Sequence, residues 1–501
     1  MEIGTVSNVY LLIFLPLISS LFCQLFERKN LSFLIAILSC VATFFLALKI
    51  LPDVLIYEKI SNDFELSPLS LGLEFRLDLL GIIFILLLIF LKIVILFFYR
   101  PDIEKFLDEK NNRIFYSVFL LHLFSLIGIF TTNNLLNLFL FFEIYSFSFF
   151  ATLSISRDTE LLKLSFRYFC LNASSSLLIL FCFFSIYLIF GEINFDRIVE
   201  NFSLLPDSSK WLLALISALL TFSFVIKFFP FWLYFKKLKS TNLIANFLAI
   251  DSLFIKTNVG IFLVLKFVYF FFGNHLIFVN FNFKPALLFL AISLIFYSSV
   301  KLYQQKHLKL IATYFCLNNL GFILACIALQ TIESIQALFF YLLNFSLVNL
   351  LIFIFASFLK RYFSSSSINK IWLIRKNHFL LVLPMKLLIF FIAAFPLTIL
   401  FFANWHLAYA SFEFGFEAFL LVALVVSNFA YANIATKLIS SFFLKHPEEA
   451  DALPFLGVKK YQFYLISFWF LIATIYVASF AAGLTNNFSL RFASYLLSNT
   501  I

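Results

Sequence analysis

Stretches of mostly apolar residues long enough to cross a bilayer as a helix, about 20 residues each, recur along the whole chain. They lie near 8–25, 31–52, 79–99, 113–132, 134–155, 164–190, 211–235, 242–271, 284–303, 308–330, 334–359, 377–403, 413–440 and 461–483. The pattern predicts an all-α polytopic membrane protein of about fourteen transmembrane helices with both termini on one side. Two helix-breaking prolines fall inside this pattern, Pro230 in the seventh segment and Pro396 in the twelfth. Their separation by five helices predicts two five-helix repeats, helices 4–8 and 9–13, related by inversion because five is odd. The expected organisation is an N-terminal three-helix segment at 1–110, a first repeat at 111–275, a second at 276–440, and a cytoplasmic loop with helix 14 at 441–501.

Charge orients the pattern. Alternate loops collect the bases, among them Arg28, Lys29, Arg100, Lys105, Lys110, Arg157, Lys163, Lys236, Lys237, Lys239, Lys301, Lys306, Lys309, Lys360, Arg361, Lys445 and Lys459. The other loops carry acids such as Asp53, Glu58, Asp63, Glu192 and Asp196. Because basic loops stay cytoplasmic, both termini are expected on the outer face of a bacterial plasma membrane or of an organellar inner membrane. Composition agrees: 63% of residues are hydrophobic, 12% charged, and mean hydropathy is +1.02, against about 25% charged in soluble domains. The net charge of +10 is scattered over short loops, which fits topogenic signals rather than nucleic-acid binding. Met1 to Tyr10 lacks a basic n-region and runs into the first span, unlike a cleavable signal peptide.

The longest connector, roughly 25 residues between the second and third spans, is too short for a catalytic domain, and no Gly-rich phosphate loop occurs. Cys23, Cys40, Cys170, Cys182, Cys316 and Cys326 lie in apolar runs without CxxC spacing and read as buried small hydrophobes, so no metal is expected. Flavin, haem and iron–sulfur ligand patterns are missing too, so no cofactor is expected and the chain is not read as a redox enzyme in its own right.

Chemistry is therefore sought among ionisable residues within the spans, each of which costs roughly 2.5–3.5 kcal/mol to insert at mid-membrane. Glu143 stands about ten residues into a span with no other charge and reads as a proton-binding carboxylate. Lys227, three residues before Pro230, reads as a proton relay beside a helix break that leaves carbonyls unpaired. Lys256, deep in a long span, is a second relay candidate. Asp251 shares that helix, but five residues of α winding turn it about 140° away. It could meet Lys227 or Lys256 through water or lie near a helix end. Lys92, Lys266 and Lys386 fall nearer span ends and read as snorkelling side chains, and His122 and His406 as satisfied core residues.

Five segments carry a resemblance. NNLLNLFLFFEIYSF, FRYFCLNASSSLLILF, HLKLIATYFCLNNLGFIL, LFFYLLNFSLVNLLIF and AAFPLTILFF are similar, in that order, to the signature segments of the Na+/H+ antiporter and respiratory NADH dehydrogenase superfamily. The resemblance implies two inverted half-channels joined by a hydrophilic axis of Glu, Lys and His, in a subunit that works beside other membrane subunits on protons and, in the antiporters, Na+. The family's helix-five glutamate falls on Glu143, its helix-seven lysine on Lys227 and its helix-eight lysine on Lys256. The second half departs: Asn319 stands for a His or Gln, Phe345 for a His, Asn349 for a Lys and Ala403 for a Lys. WLYFKKLKS replaces the usual WLPDA, and Asn134 the aspartate before the fifth span. Amides can order water but cannot take and release a proton near neutral pH. The resemblance thus implies an intact first half-channel and a degenerate second one. Length and the NLFLFFE form favour the D-type subunit of a multisubunit cation/proton antiporter. A proton-pumping subunit of respiratory complex I is the first alternative, and a structural scaffold retained for assembly the second.

Overall fold

A computed structural model describes residues 3–25, 29–63, 74–155, 159–201, 207–229, 247, 250–271, 283–363, 366–368, 371, 379–412, 418–443, 462–480 and 482–498. Pro230 and the WLYFKKLKS segment lie outside the described residues.

The helices are α1 (Ile3–Leu25), α2 (Lys29–Tyr57), α3 (Leu79–Phe106), α4 (Glu109–Thr131), α5 (Leu135–Ser154), α6 (Thr159–Phe190), α7 (Phe195–Asn201), α8 (Asp207–Phe228) and α9 (Thr257–Leu265). There follow α10 (Phe283–Gln304), α11 (Leu308–Leu329), α12 (Ile332–Leu343), α13 (Asn349–Phe363), α14 (Phe379–Ile392), α15 (Ile399–Phe412), α16 (Ala418–Phe443), α17 (Gln462–Phe480) and α18 (Ala482–Ser498). Among the described residues thirteen helices are long and apolar enough to cross a membrane. The twelfth expected span is instead two shorter helices, α14 and α15. This is a multi-pass, all-α membrane protein with an apolar exterior: Trp211 and Phe289 are each 72% exposed, as suits lipid-facing positions.

The break between α14 and α15 covers residues 393–398 and contains Pro396, which has no N–H to continue a helix. Ala394 (φ 51°) and Leu397 (φ 74°) adopt left-handed backbone there, costly for residues with a Cβ. Local bonds offset the cost: Thr398 donates through its backbone N–H and its hydroxyl to the Phe395 carbonyl, at 3.1 and 2.7 Å.

Three elements lie outside the hydropathy pattern. The connector after α2 forms an antiparallel hairpin, β1 (Lys59–Asp63) with β2 (Glu74–Asp78), pairing Lys59 with Asp78 and Asp63 with Glu74. A short helix, α7, follows α6, and α18 extends the chain beyond the last expected span. The most buried spans are not purely α-helical. Asp251–Lys256 and Lys266–Phe271 flank α9 as π turns, and Asn344–Val348 joins α12 to α13 in the same way. In each of these two spans 94% of an 18-residue stretch is buried. A π turn misaligns the backbone ladder, which is tolerable only where protein rather than lipid covers it.

The described residues fall into two compact units, one comprising those up to Phe271 and the other those from Phe283 to Ser498. In the first, α1, α2, α3 and α5 pack around α4, along which buried positions run from Phe115 to Thr131. Asp78 caps α3 by accepting from the Gly81 N–H at 2.6 Å, and Asn134 caps α5 through the Leu136 N–H at 2.9 Å. Asn and Asp cap equally well, so Asn134 performs locally what an aspartate there would. In the second unit, α11 and α12 are joined by only Gln330, left-handed at φ 57°, and Thr331, which forms a capping box with Ser334.

Candidate functional site

The first unit brings together ionisable side chains from α3, α4, α5, α8 and the π turn before α9. Lys227 in the last turn of α8 places its Nζ 3.2 Å from Oε1 of Glu143 on α5, and donates to Ser176 Oγ on α6 at 2.6 Å. The Lys227 side chain is 1% exposed and that of Glu143 25%. The ammonium also lies 5.7 Å from the centre of the Phe142 ring. Its apolar surroundings make the carboxylate and the hydroxyl its principal solvation.

Lys256 is fully buried. It donates to the Tyr168 hydroxyl and approaches the Lys227 carbonyl oxygen at 3.4 Å. That carbonyl belongs to the C-terminal turn of α8, where oxygens lack an intrahelical partner and attract a cation. The two lysines are thereby linked, one through its side chain and the other through its backbone.

Asp251 meets neither Lys227 nor Lys256 directly. Its Oδ1 accepts from Lys92 Nζ at 2.8 Å, and the same ammonium lies 2.6 Å from Nδ1 of His122. Lys92 therefore does not snorkel. α3 continues through Pro101 to Phe106, so Lys92 stands at mid-helix, 1% exposed, rather than near an end. Lys266 is also buried rather than snorkelling, donating to the Thr132 carbonyl at 2.7 Å just before α5 begins. Of the three, only Lys386 is exposed, as a snorkelling side chain would be. His406 pairs through Nδ1 with Glu333 Oε2 at 2.7 Å. Cys170 departs from the other cysteines in facing outward.

The second unit holds a network of amides and hydroxyls. Tyr341 donates to Asn404 Oδ1 at 2.7 Å, and Asn404 donates to Asn428 Oδ1 at 2.9 Å. Asn318 receives the Tyr431 hydroxyl and donates to Ser298 and Ser299, both at 2.9 Å. Asn344 donates to Asn319 Oδ1 at 3.2 Å, while Asn349 donates to the Phe345 carbonyl at 3.0 Å. Phe345 and Ala403 are buried and apolar, and the polar side chain of that region is Asn404, one residue beyond Ala403. Among the described residues of this unit Lys309 is the one buried ammonium, in the first turn of α11 rather than in a loop.

The profile of the NADH:quinone oxidoreductase/Mrp antiporter transmembrane family matches residues 132–430, a stretch that includes Glu143, Lys227, Lys256 and the amide network. The chain belongs to this family. Among its relatives, the D-type subunit of the Na(+)/H(+) antiporter of Alkalihalophilus pseudofirmus is 25% identical over 441 residues, 86% of this chain and 85% of that protein. The N-type subunit of NADH-quinone oxidoreductase from a Wolbachia of Brugia malayi is 24% identical over 335 residues, 66% of this chain and 70% of that one. In fold, a chain of the Mrp complex from a Dietzia species aligns with a TM-score of 0.80 at 16% identity, covering 100% of this chain and 98% of that one. A chain of respiratory complex I from Thermus thermophilus aligns at 0.72 and 17% identity, covering 97% and 99%.

Family membership and geometry together leave three features that sequence reasoning missed. Lys92 and His122 are separated from Asp251 by more than 120 positions, and Asn404 is hidden beside Ala403. A signal exists for Lys92 alone: the lysine in LLLIFLKIVILFF has six apolar residues on its C-terminal side before Tyr99 and Arg100.

Proposed function

We propose that this chain is the D-like membrane subunit of a multisubunit cation/proton antiporter, and that its first unit carries a proton half-channel through Glu143, Lys227 and Lys256. The observation that carries the reading is the Lys227–Glu143 ion pair at 3.2 Å, with the fully buried Lys256 drawn to the Lys227 carbonyl. A carboxylate and two ammonium groups in apolar surroundings can pass a proton by exchanging partners. Glu143, one quarter exposed, is where the proton enters this group or leaves it. In the second unit the amides Asn319 and Asn349 order polar contacts without exchanging protons, so partner subunits supply the remaining path and any Na+ site. The two inverted repeats, the outer-face termini and the bacterial plasma membrane belong to the same proposal.

Proteoliposomes containing the assembled complex test it. Glu143→Gln and Lys227→Met are each expected to abolish proton or Na+ flux; unchanged flux in both refutes the half-channel. A second reading, a proton-pumping subunit of respiratory complex I, is favoured by the likeness to the N-type subunit of NADH-quinone oxidoreductase. The proteins that copurify with the tagged chain decide between the two, small antiporter subunits in one case and dehydrogenase subunits in the other. A scaffold role, suggested by Phe345, Asn349 and Ala403, predicts that Glu143→Gln is silent while loss of the chain disperses its partners.

A further inference from the structure

The Lys92, His122 and Asp251 cluster is not part of the pair just described, and it is better buried: its three side chains are 1%, 3% and 4% exposed, against 25% for Glu143. The Lys92 ammonium reaches both His122 Nδ1, at 2.6 Å, and Asp251 Oδ1, at 2.8 Å. With Nδ1 accepting, the neutral imidazole carries its hydrogen on Nε2. That nitrogen faces Asp251 Oδ2 at 3.8 Å, and neither atom has another hydrogen-bond partner. Burying an ion pair around an imidazole is no route to stability, since apolar packing usually serves as well or better.

The cluster also adjoins the Lys256 end of the half-channel. Asp251 and Lys256 bound a single π turn, whose i→i+5 closure sets them about one turn apart on the same side of the helix. The Phe149 ring neighbours both groups, its centre 4.9 Å from Lys256 Nζ and 6.2 Å from the centre of the His122 ring. The Tyr145 ring stacks on His122 at 4.4 Å. The titratable groups facing the cluster among the described residues are Cys40 from α2, Tyr145 from α5 and Lys256 from its own span.

We propose that Lys92, His122 and Asp251 form a second buried proton-binding site, which exchanges a proton with Lys256 through hydrogen-bonded water alongside the Phe149 and Tyr145 rings. The ligand is a hydrogen ion. At rest the ammonium, the carboxylate and the neutral imidazole sum to zero charge; the site takes up one proton on His122 or Asp251 and releases the same proton, with no bond to carbon made or broken. The inference rests on the half-channel reading and extends it by one station.

The test uses the assembled complex in proteoliposomes, with Glu143→Gln as the reference. Removing Lys92 or Asp251 alone strands a buried charge, so the decisive variant is Lys92→Met/Asp251→Asn, which removes both charges together. His122→Asn is the second variant, because it keeps the ion pair intact. Both are expected to assemble in normal amount and to lose at least tenfold in flux, and His122→Asn is expected to change the pH profile of what remains. Wild-type flux in either assembled variant overturns the proposal while leaving the half-channel standing, provided Glu143→Gln is inactive. Wild-type flux in Glu143→Gln instead removes the reading beneath it.

Discussion

Glu143 and Lys227 differ in exposure, 25% against 1%, and the difference sets an asymmetric response to their removal. Glu143→Ala leaves the ammonium in the interior with the Ser176 hydroxyl and the Phe142 ring. Stranding a buried charge costs about 3–5 kcal/mol, and the two surviving contacts hold the loss to the low end, about 3 kcal/mol. Lys227→Met leaves a carboxylate that, on the half-channel reading, water at the mouth of the path still hydrates. Its loss should resemble that of a surface pair, about 1 kcal/mol, because methionine fills most of the same space. In Glu143→Ala/Lys227→Met no charge is stranded, and the loss returns to about 1 kcal/mol rather than the roughly 4 kcal/mol of simple addition, a coupling of about 3 kcal/mol. Denaturant unfolding of the purified complex for the four members of this cycle measures it. If the double variant loses the sum of the single losses to within about 0.5 kcal/mol, the two side chains do not interact and the pair cannot anchor a half-channel.

Other outcomes follow from single contacts. Gly128→Ala places a Cβ against the Phe141 ring where α4 and α5 meet, so overpacking should lower stability by about 1–3 kcal/mol, read as an earlier unfolding midpoint. Tyr341→Phe removes the donor to Asn404 and should cost about 1 kcal/mol in the same assay; an unchanged midpoint would show that the amide network adds nothing there. Ala403→Lys, which reinstates the family's lysine at a fully buried position, should destabilise the subunit by about 2.5–3.5 kcal/mol and restore no activity, as measured by yield of assembled complex and by flux. A tag on the C-terminus should be cleaved by protease added outside intact cells; cleavage only from the cytoplasmic side would invert the expected topology.

The spans are legible because twenty apolar residues leave few alternatives to a membrane helix, and Pro396 announces its break because proline cannot continue the backbone ladder. Glu143, Lys227 and Lys256 stand out for the same reason, as isolated charges in apolar runs. What hydropathy cannot supply is who meets whom. It ends the third span near residue 99, whereas α3 extends to Phe106, and the role expected of Lys92 fails for that reason. The seven extra residues set the end of the helix about 10 Å farther from Lys92, and His122 and Asp251 from other helices take up its ammonium. The α-helical geometry expected around Asp251 gives way to a π turn, because the winding of that segment is fixed by tertiary packing rather than by residue propensity. The hairpin at β1 and β2 is invisible to a search for long apolar runs because each strand is five residues long and β2 alternates apolar Phe75 and Leu77 with charged neighbours.

The widened turn at Asp251–Lys256 also makes the span sensitive to length in an unusual way. Deleting one residue within it would turn the i→i+5 closure into the i→i+4 closure of an ordinary α-helix and leave the two sides of the cut in nearly the same orientation, whereas a deletion in α9 would swing them by about 100°. Hydrophobicity would scarcely change, so the altered chain would still insert. Its carboxylate and its lysine would still share a helix face after the cut in the widened turn. After the cut in α9, however, the groups on either side would look in different directions, and conduction would fail in a protein that inserts normally.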